Sequence, residues 1–102
     1  PLLIESGPYG TTCARVGCMP SKLLIAAAEA AHGVASASTF GVEAHAQING
    51  PAVMARVRRE RDRFAAAMVA DTEAIPAEQR FLGPARFTGP TTLMVGDHTR
   101  VS

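Results

Sequence analysis

GTTCARVGCMPSK, Gly10 to Lys22, holds both cysteines of this chain, Cys13 and Cys18. Small residues and glycines surround them, and a strongly helical stretch follows directly. A disulfide needs Cα atoms roughly 4.4–6.8 Å apart. Residues five apart in a regular α-helix are separated by about 8–9 Å, from the rise and radius of the helix. The two thiols therefore cannot be bridged within an undistorted helix. Gly17 relaxes the backbone between them, and Pro20 is tolerated only in a first turn. The spacing predicts a loop or distorted turn up to about Cys18, then a regular helix. A ring this small adds little entropic stabilisation, so a bridge here makes more sense as chemistry than as a staple. A helix N-terminus also favours thiolate over thiol. The segment reads as a redox-active dithiol. Two inert buried thiols remain the alternative, since free cysteine is commonly buried. A metal site is disfavoured: two thiolates fall short of four ligands, and His32, His45 and His98 do not stand at ligand-like spacing from them.

Composition sets the frame. The chain has 102 residues, 47% of them hydrophobic and 19% charged, with net charge +1. That is one small domain at most. The balance points to no nucleic-acid partner. No uninterrupted run of about 18 apolar residues is present, so no membrane partner is expected. No basic region followed by an apolar core opens the chain. Two cysteines in a redox motif suit a reducing, cytoplasmic compartment.

Outward from the dithiol, Leu2–Ile4 reads as a short strand and Ser6–Gly10 as a turn. An alanine-rich helix is predicted over about 18–37, with Lys22 near its start. Residues 38–49 read as an irregular segment with a short extended piece at Phe40-Gly41-Val42. A second helix is predicted over about 50–75, with Asn49 as N-cap, Pro51 in the first turn and a stop at Pro76. Val53, Val57, Phe64, Met68 and Ile75 share one face of it. Arg56, Arg59, Glu60, Asp62 and Arg63 lie on the other, and their mixed signs suit a solvated face better than a phosphate site. From about 80 to 102 the period shortens, and Gly89-Pro90 and Gly96-Asp97 punctuate a small β-meander.

The thirteen-residue string resembles the redox signature of the class I pyridine nucleotide-disulfide oxidoreductases, the flavoprotein disulfide reductases, whose pattern is usually G-G-x-C-x-x-x-x-G-C-x-P-S-K. Gly10, Thr12, Cys13, Val16, Gly17, Cys18, Pro20, Ser21 and Lys22 match; Thr11 stands where the family commonly has a second glycine. The dihydrolipoamide dehydrogenase-like branch is the most similar. The resemblance implies an α/β fold: a partial FAD-binding Rossmann-like, three-layer domain over 1–102, with two long helices and the small meander. It implies that Cys13 is the interchange thiol and Cys18 the thiolate lying against the flavin. Thr12 would contact the cofactor phosphates, Lys22 would lie near the flavin ring, and Glu5, ending the first strand, would hold the ribose hydroxyls; Gly10, Thr11, Gly17 and Cys18 are further cofactor-binding positions that the resemblance implies.

The implied function is that of an FAD-dependent oxidoreductase, with NAD or NADP as co-substrate. Electrons would pass through a Cys13–Cys18 disulfide to a small disulfide or dithiol such as lipoamide. Homodimers prevail in the family, and its acid–base histidine motif is not matched by His32, His45 or His98. The chain opens at Pro1, ends in a strand-like stretch at Ser102 and has no G-x-G-x-x-G. The expectation is an internal segment of a longer protein, inactive alone. The alternative is a non-enzymatic thiol switch or structural piece without FAD.

Overall fold

The computed structural model describes residues 1–97 and 99–102, so the reading of His98 lies outside the described residues. The fold is mixed α/β, with two long helices and two small sheets, consistent with a partial Rossmann-like domain. The chain divides into two compact units, Thr11–Ala66 and Pro1–Gly10 with Ala67–Ser102.

Within the unit 11–66, the dithiol region is more helical than the expected loop. A five-residue helix α1 (Thr12–Val16) precedes a break at Gly17, and α2 (Cys18–Ser36) follows. Thr11 caps α1: its backbone is extended, and its Oγ1 accepts from Ala14 N at 3.1 Å. A glycine at 11 would lack this acceptor. Alanine and leucine carry α2, where they lose little freedom on ordering. The helix ends in a 3₁₀ turn, Ala37–Phe40, and Gly41 then takes a left-handed φ of 75°. Gly41 N donates to Ser38 O at 3.0 Å and Val42 N to Ala37 O at 3.2 Å, satisfying the last carbonyls. The extended piece expected at Phe40-Gly41-Val42 is thus a helix-terminating turn instead.

Helix α3 (Gly50–Glu73) starts as read: Asn49 Oδ1 accepts from Ala52 N at 3.0 Å. Val57 is buried, and Val53 and Phe64 are half-buried on the same face. Arg63 and Arg59 flank Glu60, at 3.0 and 3.7 Å, and Arg61 reaches Asp62 at 2.6 Å. These three arginines are thus matched by interleaved acids, as suits a solvated face; such exposed pairs contribute little stability.

In the other unit, β1 (Leu3–Glu5) pairs in parallel with β2 (Arg80–Leu82), register Leu3↔Arg80 through Glu5↔Leu82. Gly83 N extends the pairing to Glu5 O at 2.8 Å. Arg80–Leu82 therefore leaves the meander to which the sequence reading assigned it. A three-residue apolar run carries no mark of its partner, and this partner lies at the opposite end of the chain. The meander proper is β3 (Ala85–Gly89), β4 (Thr92–Val95) and β5 (Thr99–Val101), all antiparallel. Arg80 Nε holds Ile75 O at 2.8 Å, and its guanidinium lies 5.8 Å from the Tyr9 ring centre.

Burial is slight. Among the described residues, Ala14, Val57 and Val95 are the buried hydrophobics, and α2 buries none of its residues. The helical stretch Thr12–Phe40, with mean hydropathy 1.2 and none of that window buried, is long and apolar enough to cross a membrane. This corrects the reading that the chain has no such stretch: charges are spaced widely enough among the alanines for the average to pass. By itself it is weak grounds for a span, and Gly17 interrupts the helix near its start.

Candidate functional site

The break at Gly17 is what brings the thiols together. Cys13 lies in α1 and Cys18 opens α2; both are free and exposed. A Cβ on Gly17 would stand 3.1 Å from Thr12 O and 3.3 Å from Cys13 Cα. Those are backbone atoms of the helix carrying the first thiol, so a side chain here would push the two cysteines apart. Ser21 fixes the other side of the break: its N and Oγ donate to Gly17 O at 3.2 and 3.0 Å.

Cys13 and Cys18 are both free thiols, where a disulfide was expected. Hydrogen bonding by the neighbouring Cys18 side chain is the main cause that pushes the Cys13 thiol above its ordinary range; partial desolvation and the neighbouring charge of Cys18 add to it. The backbone N–H groups of Cys18 and Met19 act in the opposite direction. The start of α2 therefore serves the Cys13 sulfur, whereas the sequence reading gave that role to Cys18. The cause is the break itself: it places α1 before the α2 amides, while Cys18 belongs to the turn that carries them.

Thr11 and Thr12, both exposed, open α1, and exposed Lys22 shares the α2 face of Cys18, four residues on. The structure thus gathers Thr11, Thr12, Cys13, Gly17, Cys18 and Lys22 in one unit. Glu5 and Gly10 belong to the other. There Glu5 ends β1 as expected, and its Oε1 accepts from Gly7 N at 2.9 Å. Arg15, between the cysteines, was not singled out by motif reading because it occupies a variable position of the pattern. Among the described residues its Nε finds no hydrogen-bond partner, and that atom is buried.

Elsewhere in the unit 11–66, a groove of about 420 Å³ runs between α2 and α3, lined by Ala27, Ala30, Val34, Ile48 and Val53 among others. Ala27 is about 13 Å up α2 from Cys18, so the groove is separate from the dithiol. Among the described residues, no three His, Cys, Asp or Glu side chains cluster as metal ligands.

No family model matches the chain. Curated relatives do match in part, among them the following three. Mercuric reductase of Streptomyces lividans is 54% identical over 44 residues, 42% of this chain and 9% of that protein. Mycothione reductase of Mycobacterium tuberculosis is 44% identical over 43 residues, again 42% and 9%. Dihydrolipoyl dehydrogenase 2 of Haloarcula marismortui is 48% identical over 40 residues, 39% and 8%. Over about 40 residues the chain is similar to several pyridine nucleotide-disulfide oxidoreductases. Each match spans less than a tenth of these pyridine nucleotide-disulfide oxidoreductases. Differently named reductases match at comparable identity, so the comparisons favour no one branch over another.

Proposed function

We propose that this chain is the dithiol-bearing part of an FAD-dependent disulfide reductase. The observation that carries the reading is the paired, exposed thiols of Cys13 and Cys18, held across Gly17. The donor set around them suits a flavin dinucleotide: exposed Thr11 and Thr12, the Lys22 cation and the buried Arg15 Nε, which has no acceptor among the described residues. Bound FAD supplies a two-electron relay between a nicotinamide and the dithiol.

The protein's own residues then have these tasks. Cys13 loses its proton and its sulfur attacks one sulfur of a small disulfide, expelling the other as a thiolate that takes up a proton. The Cys18 thiolate next attacks Cys13 Sγ, closing the Cys13–Cys18 bond and releasing the second thiol. The substrate gains the two electrons that the dithiol gives up. Run backwards, the same steps oxidise a dithiol. The amides of Cys18 and Met19 favour the Cys13 thiolate when it forms. Gly17 lets the sulfurs close to bonding distance, about 2.05 Å. A lipoamide-like substrate, NAD or NADP as co-substrate, a homodimeric whole protein and a cytoplasmic setting extend the proposal; these rest on the family resemblance alone.

The test is a dithionite titration of the intact protein. At two-electron reduction a long-wavelength thiolate–flavin absorption band is expected, and Cys18→Ser abolishes it. A flavoprotein lacking that band overturns the Cys18 role. A colourless protein whose helicity changes on reduction favours the thiol-switch alternative.

A further inference from the structure

Ser21 is the motif residue that the thiol chemistry leaves without a task. Gly17 O, the carbonyl at the break between α1 and α2, accepts from Ser21 twice: from N at 3.2 Å and from Oγ at 3.0 Å. A serine hydroxyl that bonds back four residues is ordinary in a helix. Ser36 does the same further along α2, donating to His32 O at 2.9 Å. The difference lies in which carbonyl is held.

The Gly17 carbonyl and the Cys18 N–H belong to one peptide unit, which is planar and rigid. They lie on opposite edges of it, so fixing the oxygen aims the hydrogen. Gly17 makes that restraint matter. Without a side chain, rotation about its Cα–C bond is little hindered, and that rotation turns the whole plane; here it stands at a ψ of −116°. The Gly17 backbone also lies directly against α1, with no room for a Cβ beside Thr12 O and Cys13 Cα. The amides of Cys18 and Met19 are the groups that favour the Cys13 thiolate. Ser21 thus clasps one edge of the unit whose other edge serves the attacking sulfur.

We propose that Ser21 is a positioning residue for thiol exchange: its hydroxyl, by holding Gly17 O, keeps the Cys18 N–H turned to the Cys13 sulfur. This deepens the disulfide-reductase reading above and rests on it for the role of Cys13 as attacking thiol.

The test is the pH profile of Cys13 alkylation by iodoacetamide in the reduced intact protein, read by mass spectrometry after trypsin has cut at Arg15, between the two cysteines. A hydrogen bond to a thiolate corresponds to about tenfold in its population. Ser21→Ala keeps the backbone bond and loses the clasp. It is expected to slow alkylation at neutral pH about threefold or more and to move the midpoint upward. Ser21→Thr keeps a hydroxyl and retains the wild-type profile. Ser36→Ala removes the same kind of bond from α2 and leaves the profile unchanged. Cys18, the titratable group that acts on Cys13, and the charges of Arg15 and Lys22 are present in all three variants. An unshifted midpoint in Ser21→Ala overturns the proposal, and so does a shift in Ser21→Thr as large as that of alanine. An equal shift in Ser36→Ala overturns it in favour of a general loosening of α2. A missing thiolate–flavin band in the dithionite titration overturns the reductase reading, whereas this assay needs no flavin and reads the clasp separately. Thermal melting of each variant checks that the fold is kept.

Discussion

Cys13 holds its proton because another thiol sits against it. Hydrogen bonding by the Cys18 side chain and the charge Cys18 can carry both resist ionisation, and they outweigh the amides of Cys18 and Met19 that favour it. Removing the second sulfur should reverse the balance. In Cys18→Ala, the pH midpoint for alkylation of Cys13 by iodoacetamide is expected to fall below that of the wild type; an unchanged or higher midpoint would contradict the pairing. The same linkage acts on stability. The native state binds this proton more tightly than the unfolded chain, so the contribution is complete at neutral pH. It is lost as pH climbs past the ordinary thiol range and through the raised native value.

At the scale of elements, caps decide where helices begin. Asn49 closes the first turn of α3 through Ala52 N, and such a cap contributes about 1 kcal/mol. Asn49→Ala should therefore speed hydrogen exchange at the Ala52 amide and cost about 1 kcal/mol in a denaturant titration; exchange as slow as in the wild type would show that the cap is idle. This start was legible because Asn, Gly and Pro stand in order before an apolar-periodic run. The long body of α2 was legible from alanine, and the dithiol from its spacing around a glycine. Three features were not. The helical character of Thr12–Val16 depends on the Thr11 cap, which spacing arguments do not register. The turn at Gly41 looked extended because Phe and Val flank it. Strand β2 looked like meander because parallel pairing leaves no local turn signal. Arg15 carried no signal at all until its surroundings were known.

At the scale of the whole molecule, large apolar side chains stand uncovered: Leu24 and Ile25 on α2 are 42% and 54% exposed, and Phe40 is 82% exposed. Patches of that kind mark surfaces that other groups cover. The 102-residue chain in isolation is expected to light up an apolar dye such as anilinonaphthalene sulfonate, and Leu24→Glu with Ile25→Glu to dim it. A dark dye would mean that the helix is covered in solution.

The parallel ladder of β1 and β2 carries a consequence for how the chain comes to be made. Leu3–Glu5 waits for Arg80–Leu82, made only after everything from Ser6 to Gln79, before it has a neighbour. Everything that sets Cys13 beside Cys18 lies between Thr11 and Ser21. The sulfurs thus find one another early in synthesis, while the sheet that ends at Glu5 is still half built.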